Sequence, residues 1–396
     1  MTKAGLRVLI VTHQFTKNDG QGRVNYEIAR AALAAGHAVT MLASASADEL
    51  REHPRARFVK IGSSRVPTRL LKYQVFAWRT WRWIRAHRDE FDVVHVNGFI
   101  TWARADINSV HFVHDGWYRC GFYPFRLLRG VNQAYQVVYT RLNAYLEAQA
   151  FRQARAVVAV SAKVRDEIRA IGIDAPRVRV IHNGVDIDEF APGPAERRRF
   201  GLPEKPFLFL FAGDLRIARK NLDTVLRAFR KAPPNAQLVI AADIPGTRYQ
   251  ELAAELGIAE RVHFLGFIRD MPALMRSVDA FIFPSRYEAM SLVLLEALAA
   301  ALPVVTARTT GGAEVVGPDC GIVLDNPNDV AGAAAAIDFI ASDPARAARM
   351  GRAARELAHT FGWDVMAQRY LSLYEHLHAA RAVVVPGAPA TLGVES

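Results

Sequence analysis

One stretch, Asp279–Ala300, constrains the fold more than any other: D-A-F-I-F-P-S-R-Y-E-A-M-S-L-V-L-L-E-A-L-A-A. It opens on a run without polar alternation, Ala280 to Pro284, passes through a short polar loop and continues as an amphipathic helix. A strand of that kind suits a sheet covered on both faces, and the strand–loop–helix order makes the sheet parallel. Ser291 stands where its hydroxyl would accept from an N–H of the first helical turn. Open α/β sheets bind ligands where a helix begins at the carboxyl end of a strand, because free N–H groups and the positive dipole end face the ligand there. Glu288 lies in the loop and Glu296 eight positions later in the helix. Two carboxylates beside a phosphate-binding helix start can accept from sugar hydroxyls, so the stretch reads as a nucleotide-sugar pocket. Glu296 is flanked by Leu294, Leu295, Ala297 and Leu298, and a carboxylate in so apolar a run needs a partner.

The same alternation runs along the whole chain. Strands are expected at Leu6 to Thr12, Val39 to Ala43, Arg57 to Ile61, Asp92 to Val96, Ile107 to Val113, Ala156 to Val160 and Val178 to Ile181. The polar, turn-rich H-N-G-V-D-I-D-E-F-A-P-G-P from His182 then marks a domain boundary. A second series follows at Phe207 to Ala212, Gln237 to Ala242, Val262 to Leu265, Ala280 to Phe283 and Pro303 to Thr306, with helices between. The final helices begin near Asn328, Ala345 and Trp363. A length of 396 residues fits two such domains. The tail from Val383 is small and rich in Pro and Gly, which suits a mobile end.

Composition narrows the class. A hydrophobic fraction of 51% and a charged fraction of 22% are ordinary for a globular protein, and no apolar run is long enough to span a bilayer. The N-terminal M-T-K-A-G-L-R-V-L-I-V-T has too short an apolar core for a secretion signal and reads as a first strand, which implies a cytoplasmic chain. Cys120 and Cys320 stand far apart, so neither a disulfide framework nor a zinc site is expected. A net charge of +11 favours anionic partners such as nucleic acid, acidic headgroups or phosphorylated substrates.

Several loops carry candidate chemistry. Gly20 and Gly22, in the loop after the first strand, let backbone come close to a phosphate, and a plain tight turn explains them nearly as well. The segment from Arg65 to Arg88 holds seven Lys or Arg, no acid, and Trp78, Trp81 and Trp83. It suits an acidic membrane surface, or equally a helix whose aromatics pack inward. No nucleic-acid motif accompanies it. His111 and His114 sit at a strand end, placed to face a cleft or to be satisfied in the core. Trp117 to Arg129 is aromatic and basic again, and Tyr135, Tyr139 and Tyr145 lie along the helix that follows. Arg216, Arg219 and Lys220 cluster after a strand, where they can neutralise a diphosphate. Gly311 and Gly312 allow close backbone approach, with Glu314 just beyond.

Four of these motifs together resemble the retaining glycosyltransferases of family 4, which have the GT-B fold. They are E-A-M-S-L-V-L-L-E-A, L-P-V-V-T-A-R-T-T-G-G-A-E, F-A-G-D-L-R-I-A-R-K-N-L and I-H-N-G-V-D-I-D-E-F-A-P. The resemblance implies two Rossmann-like, doubly wound α/β domains facing each other across a cleft. Residues 1–185 would take the acceptor and residues 186–362 the nucleotide-sugar, with a last helix at about 363–380 crossing back and a tail at 383–396. Glu288 would face the donor sugar's hydroxyls and Glu296 the ribose. Lys220, with Arg216 or Arg219, would hold the diphosphate, helped by the backbone of Ala289, Met290, Ser291 and Leu292. Gly266, Phe267 and Ile268 would meet the base. His114 would approach the donor sugar, with His111 in reserve, and Gly20 and Gly22 would belong to the donor site.

The chain departs from the family at three points. Asp214 follows Gly213 where Arg is frequent, Ala289-Met290-Ser291 replaces the common Gly-Phe-Gly, and Asp243 stands in a usually glycine-rich turn. The implied activity is transfer of a sugar from a nucleoside diphosphate sugar to a glycan or glycolipid acceptor. No cofactor, metal ion or nucleic acid takes part. The basic aromatic surface adds a lipid-linked or cell-envelope acceptor, such as a lipopolysaccharide or exopolysaccharide precursor, at the inner face of a membrane. A nucleotide-sugar epimerase and a non-catalytic nucleotide-sugar binder are the competing readings.

Overall fold

Short apolar runs that cannot show either face to water decide the architecture. F-L-F-L-F-A and A-F-I-F are buried at almost every position, so helices must cover both sides of the sheet that holds them. A computed structural model shows two parallel sheets built on this rule. It describes residues 5–17, 19–62, 68–216, 218–243, 246 and 248–382. Arg65, at the start of the basic aromatic segment, and the tail from Val383 lie outside the described residues.

The first sheet draws on β1 (Arg7–Val11), β3 (Ala38–Ala43), β5 (Ala56–Lys60), β6 (Val93–Asn97), β7 (Ile107–Val110), β8 (Ala156–Ala159) and β9 (Val178–Val180). Its order is β5-β3-β1-β6-β7-β8-β9. Two-residue strands β2 (Gln14–Phe15) and β4 (Ala45–Ser46) pair with each other. Helices α1 (Gly20–Ala34), α2 (Asp48–Arg51), α3 (Arg69–His87), α4 (His114–Arg119), α5 (Val131–Gln153) and α6 (Ala162–Ala170) connect them. α1 begins at Gly20, inside the stretch expected as a loop. Asp19 caps it by accepting from the Gly22 N–H at 2.7 Å, so Gly20 and Gly22 form the first helical turn rather than a loop.

The second sheet comprises β10 (Phe207–Ala212), β11 (Ala236–Ala241), β12 (Val262–Gly266), β13 (Ala280–Phe283), β14 (Val304–Ala307) and β15 (Gly321–Leu324). Its order, β12-β11-β10-β13-β14-β15, reverses direction between β10 and β13. β15 adds an edge strand beyond those expected from the sequence, and Ile322 and Val323 are only partly buried there. The helices here are α7 (Leu222–Lys231), α8 (Arg248–Glu255), α9 (Met271–Arg276), α10 (Leu292–Ala299), α11 (Val330–Ala341) and α12 (Pro344–Ala358). α13 (Trp363–Ala382) closes the described chain.

By contacts, the described residues up to 108, with 153–155 and 367–382, form one compact unit, and those within 109–152 and 156–366 form another. In the first unit, Tyr374 of α13 lies with its hydroxyl 2.8 Å from His95 Nδ1 of β6, both side chains being fully buried. The Tyr370 ring stacks on the same imidazole. Burial, with Tyr370 nearby, drives the Tyr374 phenol well above its ordinary pKa, so it stays a neutral partner. Among the described residues no helix is long and apolar enough to cross a membrane.

Removing the Tyr374 hydroxyl alone tests this anchor. Tyr374→Phe keeps the ring and leaves His95 short of a buried partner, so unfolding stability should fall by about 1–3 kcal/mol. A urea midpoint equal to that of the wild type would show that the bond does not hold α13 in place.

Candidate functional site

The reversal of strand order between β10 and β13 opens a crevice at the carboxyl ends of those strands, the place where doubly wound sheets take ligands. The loop after β10 turns through Gly213 and reaches a short 3-10 turn, Ala218–Lys220. Asn221 follows with φ of +69°, a conformation that Asn tolerates better than most residues. Its amide donates to the carbonyls of Pro284 (2.8 Å) and Pro327 (2.6 Å), tying this loop to the end of β13. The Arg286 N–H donates to the Arg219 carbonyl at 2.8 Å, a second tie between the same loops.

These ties bring Lys220, Arg219 and Glu288 together. Lys220 Nζ lies 2.5 Å from Glu288 Oε1, and Arg219 Nη1 lies 3.6 Å from the same oxygen. Burial pushes the Glu288 carboxyl upward in pKa. The charges of Lys220 and Arg219, and the Lys220 hydrogen bond, outweigh that push and hold it below its ordinary value. The cations are backed by rings, Lys220 over Phe283 at 5.1 Å and Arg219 over Phe112 at 5.5 Å. Arg216 does not join them. Asp214 grips its guanidinium from 2.6 Å, and the pair faces solvent. The Asp that stands at the family's Arg position thus removes a second cation from the cluster.

The loop after β14 is stitched beneath Glu288. Gly311 donates to the Glu288 carbonyl at 2.9 Å, and Ser291 donates to the Gly311 carbonyl at 3.1 Å. A Cβ on Gly311 would fall 1.6 Å from the Ala289 carbonyl oxygen, so glycine serves a backbone-on-backbone approach here. Ala289 and Met290 are buried in this stitch. Ser291 occupies the N-cap position of α10, but its hydroxyl makes no cap bond, unlike the bond its sequence position suggests. The N-cap side chain therefore leaves the first turn of α10 uncapped. Leu292 and Glu296 follow in the helix, each half-buried. Gly266, Phe267 and Ile268 lie at the end of β12, with Gly266 in a left-handed conformation and Phe267 exposed.

The histidines fall in the same compact unit. His114 starts α4, and the Glu147 carboxylate of α5 accepts from its backbone N–H at 3.0 Å and meets its Nδ1 at 2.7 Å. With the Nδ1 proton assigned to that bond, Nε2 is left as an acceptor. Phe112 links this imidazole to the cation cluster, since its ring packs edge-on against both His114 (5.0 Å) and Tyr287 (5.2 Å). The Tyr287 hydroxyl lies 2.9 Å from the Val113 carbonyl and 2.8 Å from Glu167. Lys163 sits 3.7 Å above the Tyr287 ring and pairs with Glu167 at 2.7 Å. His111 is set deeper among protein atoms, although part of its surface meets solvent, and burial lowers its pKa to about 4. His114 is thus oriented by a carboxylate. Gly20 and Gly22 lie in the other compact unit.

Comparison with known proteins gives the chemistry a family. Glycosyltransferase Family 4 matches residues 18–189 and Glycosyl transferases group 1 matches residues 193–357. A D-inositol 3-phosphate glycosyltransferase from Xylanimonas cellulosilytica is 30% identical over 314 residues, covering 73% of this chain and 73% of that protein. The chain belongs to the retaining glycosyltransferases of family 4. Its fold is GT-B, similar to a sucrose-phosphate synthase from Thermosynechococcus elongatus (TM-score 0.77, 20% identity, 95% of this chain and 100% of that one). It is also similar to HepE from Anabaena in complex with UDP-glucose (TM-score 0.69, 20% identity, 94% of this chain and 100% of that one). Membership of family 4 decides for glycosyl transfer over the epimerase and non-catalytic readings.

In this family 4 enzyme the structure brings the sequence candidates Lys220, Arg219 and Glu288 together and adds two residues that the sequence did not single out, Glu147 beside His114 and Tyr287 beside Phe112. Glu147 gives no signal because it sits mid-helix among polar and apolar neighbours alike, and only the turn of α5 brings it to His114. The carboxylate of Glu314 accepts from the Ala162 and Lys163 N–H groups at the start of α6 and contacts His182 Nε2 at 2.9 Å. It caps one helix from a distant loop.

Two predictions follow from these pairs. In Glu147→Gln one face of the side chain becomes a donor, so His114 loses one of its two anchors and turnover should fall about 100-fold, with the fold retained. Unchanged turnover with nucleotide-sugar and acceptor would remove His114 from the working site. Lys220→Met leaves Glu288 buried with a weaker cation and should cost about 3 kcal/mol near neutrality. The wild-type Glu288 pKa is depressed, so its contribution is present above the ordinary carboxyl value of 4.5 and is lost as pH falls through the lowered one. The gap between wild type and variant should therefore narrow below pH 4.5, read from urea midpoints across that range.

Proposed function

We propose that the chain moves a hexosyl group, with retention, from a nucleoside diphosphate sugar to a lipid-linked or cell-envelope glycan precursor of lipopolysaccharide or exopolysaccharide type. The observation that carries the reading is the buried Glu288–Lys220–Arg219 cluster at the switch point of the second sheet, followed at once by a helix start without a side-chain cap. UDP-glucose is the first donor to test, because a structural relative holds it. In the transfer, the bond from the sugar's anomeric carbon to the diphosphate breaks and a bond to the acceptor oxygen forms on the same face. The acceptor's proton leaves with the diphosphate.

Each group has work that suits its surroundings. Lys220 and Arg219 take up the charge that develops on the leaving diphosphate, and the N–H groups from Ala289 to Leu292 add fixed dipoles. Glu288 shares Lys220 with the diphosphate and accepts from a sugar hydroxyl. Glu296 accepts from the ribose, and Gly266, Phe267 and Ile268 meet the base. His114, held by Glu147, presents Nε2 to the donor sugar. Arg216, engaged by Asp214, contributes at most a long-range field. The basic character of the chain supports an acceptor carried on anionic lipid at an inner membrane face.

A nucleotide-sugar panel tests the reading. UDP-, GDP- and ADP-sugars are compared by thermal shift and by nucleoside diphosphate released in the presence of a glycolipid extract. A donor at about 100 times its Kd should stabilise the protein by about 2.7 kcal/mol, and Glu288→Gln should lose both the shift and the turnover. If no nucleotide-sugar raises the melting temperature or releases diphosphate, the reading fails.

A further inference from the structure

The outer side of α5 carries apolar residues that nothing in its own compact unit covers. Its inner side is accounted for, with Val137, Thr140, Glu147, Ala148 and Phe151 buried. Its outer side shows Val131 (89% exposed), Val138 (52%), Leu142 (37%) and Tyr145 (62%). Steps of seven, four and three residues place these four on one stripe, about 21 Å long at helical rise. The turn that leads into the helix adds Leu127 (53% exposed) and Leu128 (99%) at one end of the stripe. Single exposed apolar residues are normal on a protein surface, but four on one helical stripe with two more in the turn before it are a site for something apolar.

Charge says what that something is. From Gly116 to Leu146 the chain holds four arginines, Arg119, Arg126, Arg129 and Arg141, and neither Asp nor Glu. All four are exposed, and Arg126 and Arg129 bracket the two leucines directly. Isoleucine-sized side chains projecting beside guanidinium groups match the boundary between acyl chains and acidic headgroups. Tyr145, with its apolar ring and polar tip, suits the same depth. Asp115, just before this stretch, is neutralised by Arg119 at 3.0 Å, so the positive charge offered to acidic headgroups comes from Arg126, Arg129 and Arg141.

We propose that Leu127, Leu128 and the outer stripe of α5 seat the protein on an anionic bilayer, with Arg126 and Arg129 held at the headgroups. The tryptophan-rich α3 is the weaker candidate. Trp83 packs against its own unit's core and stacks on His87 at 4.3 Å, and the large apolar side chains that α3 exposes, Leu71 and Trp78, are fewer than the six on α5 and the turn before it. The proposal gives the lipid-linked acceptor of the preceding reading a surface to arrive on. It rests on that reading only for its purpose, because vesicle binding and sugar transfer are measured separately.

The test uses the full-length protein and sedimented vesicles, either pure phosphatidylcholine or the same lipid with phosphatidylglycerol added. Wild type should pellet with the anionic vesicles at low salt, stay in solution with the neutral ones, and be released by high salt. Leu127→Asp/Leu128→Asp should cut the bound fraction at least about tenfold while melting as the wild type does, since both side chains are exposed in the native protein. Arg126→Gln/Arg129→Gln should weaken binding and flatten its salt dependence. Donor-induced thermal shift, measured on the same proteins, should be unchanged. Equal pelleting by the double-Asp variant, or no pelleting by wild type, overturns the proposal. So does light scattering that shows a wild-type dimer which the double-Asp change makes monomeric, because the stripe then belongs to a second copy.

Discussion

A carboxylate taken out of water must be matched by positive charge, and Glu288 is where this chain meets that requirement. Burial alone would drive its proton back on, so Lys220 and Arg219 have to be held within reach. Holding them is the work of neutral groups. Asn221 fastens the loop after β10 to Pro284, the Arg219 carbonyl receives the Arg286 N–H, and Gly311 lets the loop after β14 close under Ala289. Three loops from three adjacent strands therefore share one geometry, and a change in any of them reaches the ion cluster. The parallel sheet makes this possible, because it delivers every one of these loops to the same end.

Much of this was legible in the residues. F-L-F-L-F-A and A-F-I-F are strands at the positions their composition requires, since an apolar run of that length has nowhere else to go. Lys220 and Glu288 were visible as candidates because each lies in the loop that follows such a run, eight and five residues after its end. What could not be read was direction. Nothing local distinguishes Arg216, which turns back onto Asp214, from Arg219, which turns toward Glu288. Ser291 shows the same gap: its position in the sequence is that of a cap, yet the neighbouring Gly311 stitch fixes the backbone there and the hydroxyl makes no cap bond. Glu147 was invisible because its role depends on a helix packing across 33 residues of sequence.

The basic aromatic segments teach a related lesson. Composition marks α3 and the approach to α5 as equivalent, since both mix arginine with large apolar side chains. Packing separates them by degree. In α3 the face carrying Phe76, Ala77, Thr80 and Ile84 is buried, Trp83 joins the core beside it, and the opposite side exposes Leu71 and Trp78. In α5 apolar residues occupy two opposite sides, and one core can cover only one of them. A helix that is apolar on both sides and long enough to carry a stripe needs a second apolar neighbour.

The departures from the family pattern bear on one another. Asp214 neutralises Arg216, which leaves Lys220 and Arg219 as the cations facing Glu288. With one acid already between them, the cluster carries a net charge near +1 before a diphosphate arrives. On the proposed reading that charge is too small to hold a diphosphate unaided, and fixed dipoles must supply the remainder. A serine that declines to cap α10 is consistent with that need. Had its hydroxyl satisfied a first-turn N–H, one donor would have been withdrawn from the anion. On that reading the weakened side-chain field and the unfilled cap would be two parts of a single arrangement, with backbone donors in place of a third guanidinium.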